Sequence, residues 1–239
     1  MSEPLIIYPP GCRRAIFVRR YKRFTVEAVL DGEVVGVHTN NTGSMLGLLR
    51  EGQEIYISPA QNPKRKLKWT LEAVMPLGEM VGVNTSIPNK ILQFAFEAGQ
   101  LPEAEGYTSL KREAKVGNSR LDGLFTDDSG KLPDLWVECK NVTLVEDDVA
   151  YFPDAQTERG RKHLMELMDL ASKGDRVALF FFVQRNDGYC FGPANFIDPE
   201  YAVLFCKALE AGVECWAYEA SLTHKGIGIG RKLPLAACR

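Results

Sequence analysis

The chain has 239 residues with 29 Lys+Arg against 31 Asp+Glu, 45% hydrophobic and 25% charged residues. That is the composition of a soluble globular protein of one large or two small domains. No apolar run approaches the roughly 20 residues of a membrane-crossing helix, and the start, MSEPLIIYPPGCRR, lacks the apolar core of a secretory signal. A cytoplasmic protein with no membrane partner is therefore expected. The cysteines Cys12, Cys139, Cys190, Cys206, Cys215 and Cys238 form no CxxC pair, which speaks against zinc and for reduced thiols. Charge is unevenly spread. Residues 1–70 hold 11 basic against 6 acidic residues, and the remainder holds 18 against 25.

The N-terminal third reads as short strands separated by turns. A strand over 16–30 ends at Asp31-Gly32, a hairpin signal, and Val34, Val35 and Val37 begin the return. A turn over 40–44 leads into one helical turn at Met45–Leu49, and strands over 53–58, 67–76 and 79–83 follow. Five strands suit a small barrel of the OB type, with an SH3-like barrel as the near alternative. The basic residues Arg20, Lys22, Arg23 and Lys64, Arg65, Lys66, Lys68 cluster here. They are candidates for phosphate contacts, though solvated edge-strand cations give the same pattern. Tyr21, Phe24, Tyr56 and Trp69 lie among them, either stacking on bases or, for most of them, filling the core.

After Pro88 the rhythm changes. A helix is expected over 89–99, with Ile91, Leu92, Ala95 and Phe94 apolar and Gly99 as C-cap. Strands over 107–116, 119–126 and 134–142 come next, then a loop with Tyr151–Asp154, and a helix over 157–172. The run Arg176–Gln184 predicts a strand buried on both faces. A helix over 199–211 and a strand over 213–219 complete an αβββαβαβ order. The expected class is α/β, or α+β with a mixed sheet, with domains over 1–86 and 87–239.

One constellation carries chemistry. In Val137-Glu138-Cys139-Lys140 the strand period puts Glu138 and Lys140 on one face. If the preceding hairpin is centred on Gly130, facing positions sum to 260, and Asp122 meets Glu138. Carboxylates so close repel each other unless a cation lies between them. Mg²⁺, with Mn²⁺ as a substitute, takes such oxygen ligands, and Lys140 beside them can activate water and offset phosphate charge. Asp122, Glu138 and Lys140 are thus the candidate catalytic residues of a metal-dependent nuclease, with Glu113 as a further metal ligand. Arg159, Lys162 and His163, at i, i+3 and i+4, form one helix face, a candidate for phosphate contact, with a solvated basic stripe as the alternative. The glycines of 226–230 lack a following helix and make no phosphate loop.

Several strings in order carry a resemblance: Arg20–Phe24 (RYKRF), Asn41–Met45 (NTGSM), 62–68 (NPKRKLK), 81–85 (VGVNT), 137–144 (VECKNVTL) and 151–155 (YFPDA). On these the chain resembles the sugar fermentation stimulation protein A family over nearly its whole length. The resemblance implies an OB-like domain followed by a PD-(D/E)xK nuclease-like domain, with the catalytic set on Asp122, Glu138 and Lys140. It also implies non-specific DNA binding, a nuclease role and a genetic link to sugar metabolism. The chain departs from the family at Gly123, where an aromatic is usual, and at Cys139, where valine is. It departs again at Phe94, near the place of a helix glutamate for which Glu97 is the candidate substitute. Two functions compete, a Mg²⁺-dependent nuclease and a non-catalytic DNA-binding regulator of sugar metabolism genes. RNA as a partner and homo-oligomer formation stay open.

Overall fold

The computed structural model describes residues 3–236 except Leu46 and Asn118. The strands are β1 (Ile6–Ile7), β2 (Arg13–Tyr21), β3 (Thr25–Leu30), β4 (Glu33–His38), β5 (Glu54–Pro59), β6 (Trp69–Val74) and β7 (Val81–Gly82). Helix α1 (Ile87–Glu97) opens the second part, followed by β8 (Ser109–Val116), β9 (Ser119–Thr126), β10 (Leu135–Val142), β11 (Leu144–Glu146) and β12 (Val149–Phe152). Then come α2 (Glu158–Ser172), β13 (Arg176–Val183), β14 (Cys190–Pro193), α3 (Pro199–Glu210), β15 (Glu214–Thr223) and β16 (Gly226–Lys232).

Strands β2 to β6 close into a five-stranded barrel, in order β4-β3-β2-β5-β6, because β4 also pairs with β6 through Val37↔Trp69 and His38↔Thr70. Alternation buries Val26, Ala28 and Leu30 of β3 with Ile55, Ile57 and Leu71 in the barrel core. The Asp31-Gly32 hairpin is present, both residues with positive φ as its tight turn requires. The single strand expected over 16–30 is instead two. Lys22 and Arg23, at φ 50° and 56°, reverse the chain between Tyr21 and Thr25. Lys and Arg carry no turn signal, so this hairpin was hidden. The helical turn expected at Met45–Leu49 is a turn at Gly47 and Leu48, with Met45 at φ 48°. The strand expected over 79–83 shortens to β7.

The second unit is a seven-stranded mixed sheet, ordered β1-β16-β15-β13-β10-β9-β8. Its elements α1, β8, β9, β10, α2 and β13 follow the αβββαβ order expected from the sequence, with β11 and β12 inserted before α2. β10, β13 and β15 are parallel, since α2 and α3 supply the crossovers that parallel neighbours need. Every residue of β13 after Arg176 is buried. One face packs against α1 through Ile91, Leu92, Ala95, Val137 and Phe180. The other packs against α2 and α3 through Leu164, Leu167, Phe181 and Phe205. Tyr151 and Phe152, expected in a loop, belong to β12 of a small sheet β11-β12-β14. The sheet also extends beyond 213–219, through β16 and then β1, which returns the N-terminal residues to this unit. Cys12, Cys139, Cys190 and Cys215 are free thiols. Cys206 is disulfide-bonded, against the expectation of reduced thiols; Cys238 lies outside the described residues. Among the described residues no helix is long and apolar enough to cross a membrane.

The β1–β16 pairing needs glycine at 226, where a Cβ would fall well inside contact distance of the Ile6 carbonyl. We expect Gly226→Ala to lower the urea-unfolding free energy by roughly 1–3 kcal/mol. The Tyr8 amide, which donates to the Lys225 carbonyl at 3.0 Å, should lose hydrogen-exchange protection at the same time.

Candidate active site

The site forms where β9 and β10 part. The hairpin register is Leu135↔Phe125, Trp136↔Leu124 and Val137↔Gly123, each pair summing to 260. Beyond Gly123 the Asp122 side chain turns to the facing strand and accepts a hydrogen bond from the Cys139 N–H at 2.8 Å on Oδ2. Its Oδ1 accepts from Asn89 of α1 at 2.6 Å. Gly123 lets α1 approach, since a Cβ there would lie 3.1–3.2 Å from Leu110 and Leu92.

Glu138, on β10, is 4% exposed. Its Oε1 accepts from Lys140 Nζ at 2.6 Å and contacts His163 Nδ1 of α2. Lys140 Nζ lies 3.3 Å from the same ring nitrogen. An ammonium only donates and a carboxylate only accepts, so hydrogen bonding to Glu138 requires the proton on Nδ1. One oxygen is then held by two donors. Helix α2 delivers His163 because its N-terminus is fixed twice. Thr157 accepts from the Gly160 N–H at 3.0 Å. Asp198, buried at the N-cap of α3, accepts from the Thr157 N–H at 2.8 Å and pairs with Arg161 at 2.8 Å.

The electrostatics separate the two carboxylates. Burial and then the Glu138 charge push the Asp122 carboxyl above its ordinary range, and the donors from Cys139 and Asn89 only partly offset this. Glu138 also suffers burial, yet the Lys140 charge and the His163 hydrogen bond together hold it below the usual range. Asp122 is the half of the pair in want of a cation.

Other predicted site residues are placed differently. Glu113, at φ 51°, interrupts the β8–β9 ladder between Arg112↔Gly123 and Ala114↔Leu121, opposite Asp122. Its carboxylate is exposed and pairs with Arg120 at 3.1 Å. Among the described residues no three His, Cys, Asp or Glu side chains gather as a metal cage. Glu97 is exposed and accepts from Gln93 at 2.7 Å. His163 is buried against Glu138, away from the phosphate-facing stripe expected of it, whereas Arg159 is exposed and Lys162 is exposed with Glu166 at 3.7 Å.

In the barrel Arg20 donates to the carbonyls of Arg23, Asn41 and Gly43. Arg65 donates to those of Leu67 and Trp69, both at 2.6 Å, and Lys68 to that of Pro63 at 2.8 Å. These three brace loops. Lys22, Arg23, Lys64 and Lys66 are exposed and make no ion pair among the described residues. Asn89 and the His163–Glu138 bond carried no sequence signal beyond the helix period.

A family model for the "Sugar fermentation stimulation protein RE domain" matches residues 86–226, and one for the "SfsA N-terminal OB domain" matches residues 18–83. The chain belongs to the sugar fermentation stimulation protein family. A family member from Maridesulfovibrio salexigens, described as a sugar fermentation stimulation protein homolog, is 87% identical over the full length of both chains. One of the same description from Syntrophobacter fumaroxidans is 52% identical, over 97% of this chain and 88% of its own. Among solved structures, Pyrococcus furiosus SfsA in complex with Ca²⁺ superposes with a TM-score of 0.89 at 30% identity. That match covers 99% of this chain and 100% of the other. The family's OB assignment decides between the two barrel types the sequence left open.

A pH dependence follows from the carboxylates. A raised aspartate pKa means that the ionised form costs stability once pH rises through the folded-state value, whereas a depressed glutamate contributes stability that is lost as pH falls through its own. With EDTA present, Asp122→Asn should raise the unfolding free energy at pH 7–8 by about 0.5–2 kcal/mol. Asn89 can turn its amide to preserve the contact. The gain should shrink as pH falls and be gone near the ordinary aspartate value of about 3.9. A pH-independent difference would contradict the assignment.

Proposed function

We propose that the protein is a divalent-metal-dependent phosphodiesterase acting on nucleic acid, with DNA as its substrate. The observation that carries this reading is the Asp122/Glu138 pair. A buried Glu138 and a half-buried Asp122 flank one backbone position, the first held low by Lys140 and His163, the second raised by burial and by its neighbour. Their hard oxygen donors fit Mg²⁺ or Mn²⁺, which would bind through both and complete its shell with water. A cation so bound supplies charge to a phosphate oxygen and acidifies a water.

The chain's own residues do the rest. Lys140 keeps an ammonium beside the carboxylates, where it holds the attacking water and balances charge building on the phosphate. His163 fixes the Glu138 rotamer through Nδ1, and Asn89 fixes that of Asp122. Lys22, Arg23, Lys64, Lys66, Arg159 and Lys162 are the cations available to backbone phosphates. The metal ion found with the Pyrococcus furiosus protein supports the reading of a cation site. The pairing of Glu113 with Arg120 leaves the site with two acidic ligands, and this favours the second reading, a DNA-binding regulator that does not cut.

Two experiments separate these. In a nicking assay on supercoiled DNA with Mg²⁺ or Mn²⁺, Glu138→Gln and Lys140→Ala should each abolish cleavage while DNA binding persists. Wild type that binds DNA and metal but cuts no substrate form would favour the regulator. In binding titrations, Lys64→Ala with Lys66→Ala should flatten the slope of log K against log[salt] by about two units, near 0.9 per phosphate neutralised. An unchanged slope would leave those lysines as solvated loop cations.

A further inference from the structure

The barrel's β2–β3 tip has a feature that phosphate binding does not use. Of the four aromatics among the basic residues, Tyr56 is buried in the core shared with α1, and Trp69 packs on the barrel interior. Tyr21 and Phe24 do not follow them: they are 36% and 47% exposed. The Phe24 ring lies near-parallel to His38, at 6.3 Å between centroids and 21° between planes. Arg19 and Lys22 sit 5.5 and 5.9 Å from the centre of the Tyr21 ring.

The turn that presents them is strained. Lys22 and Arg23 both occupy the left-handed region, at φ 50° and 56°. Asn and Gly fill such positions at little cost, whereas the Cβ of a long side chain there crowds the following carbonyl oxygen. Asp31-Gly32, at the other end of β3, shows the inexpensive solution in the same barrel. Strain kept where an unstrained choice exists points to side chains selected for what they contact. The loop carrying Lys64 and Lys66 belongs to the same end. It leads into Trp69 and Thr70, which pair with Val37 and His38, and His38 in turn pairs with Thr25 beside the turn. From this end Arg20 braces the carbonyls of Asn41 and Gly43, and Ser44 donates to Asp154 of the second unit at 3.0 Å. The tip is thus tied through one short loop to the catalytic unit.

We propose that Phe24, with Tyr21 beside it, is a stacking platform for unpaired bases, and that the favoured ligand carries a single-stranded nucleic-acid segment whose phosphates meet Lys22, Arg23, Lys64 and Lys66. A duplex hides its base faces inside the stack, so it engages the cations alone; an unpaired base offers a π-face to Phe24 as well. Stacking is indifferent to the sugar, so deoxy and ribo strands share this recognition. The proposal deepens the nucleic-acid reading above and rests on it, but it is independent of cleavage.

The test is fluorescence-anisotropy binding of labelled oligo-dT, oligo-U and a blunt duplex to the full chain in EDTA, so that no strand is cut. Wild type should bind oligo-dT more tightly than the duplex at equal salt. Phe24→Ala should weaken oligo-dT binding at least about fivefold, the low end for loss of one stacked base, and leave duplex binding within about twofold. The double variant Lys22→Asn/Arg23→Gly should raise the urea midpoint, because the strain is relieved, while oligo-dT affinity falls. Comparable losses on oligo-dT and oligo-U support stacking; a loss on one alone would overturn a sugar-indifferent platform. Equal losses on single strand and duplex, or none on either, would overturn the platform and leave the DNA reading standing. Dimerisation abolished by Phe24→Ala with oligo-dT affinity unchanged would assign Phe24 to self-association and overturn it too. Wild type that binds no nucleic acid of any form would defeat both readings.

Discussion

Everything at the candidate active site depends on one carboxylate oxygen, Oε1 of Glu138, held between an ammonium and an imidazole. A carboxylate this deeply buried is costly unless it is paired, and removing a partner from a buried pair costs about 3–5 kcal/mol. Lys140 and His163 supply the pairing from two directions, one from the same strand and one from α2. The lysine comes free with the two-residue strand period. The histidine has to be brought in by a helix whose start is pinned by Thr157 and by Asp198 at the head of α3. The fold therefore uses one carboxylate to align α2 and α3, and α2 to steady another. Among the described residues Asp122 has no cation paired with it directly, and its position against the Cys139 N–H leaves it the acidic group whose charge a metal would settle.

The barrel is joined to this arrangement through buried polar groups. The Gln184 side-chain amide donates to the Asn84 carbonyl and to Asn141, the residue after Lys140 on β10. Its backbone carbonyl accepts from the Gly82 N–H at 2.8 Å, and only a glycine at 82 leaves room for the Gln184 side chain. Asn84 in turn donates to Glu72 of the barrel at 2.8 Å, and Tyr56 donates to the His224 carbonyl at 2.9 Å. Hydrogen bonds of this kind are directional, so they fix orientation where apolar packing alone would allow sliding. A nucleic acid held by the barrel would therefore be presented to β10 and the candidate site at a set angle.

Much of this was legible in the sequence, for identifiable reasons. Gly130 marked the hairpin centre, and counting outward from it gave the register that places Asp122 beside β10. The unbroken apolar run after Arg176 announced a central parallel strand. What stayed hidden lacked a local signature. Lys22 and Arg23 adopt a turn conformation that their side chains disfavour, so no pattern of turn residues could reveal the β2–β3 reversal. Arg20 and Arg65 read as phosphate ligands, because a cluster of basic residues says nothing about which guanidinium faces a carbonyl. His163 fitted an exposed stripe by its spacing, yet its ring turns inward to Glu138 of β10. The small β11-β12-β14 sheet depends on pairing between residues some 40 positions apart, as in Ala150↔Phe191, which no window along the chain can see.

The central claim is that Asp122 and Glu138 jointly hold a divalent cation. It is tested most directly by soaking crystals of the protein in Mn²⁺ and measuring anomalous difference density. The account predicts one strong peak within coordination distance of both carboxylates, about 2.0–2.3 Å, with Lys140 beside it and not bound to it. Density that avoids the pair, with Glu138 still closed on Lys140 and His163 at saturating Mn²⁺, would contradict it.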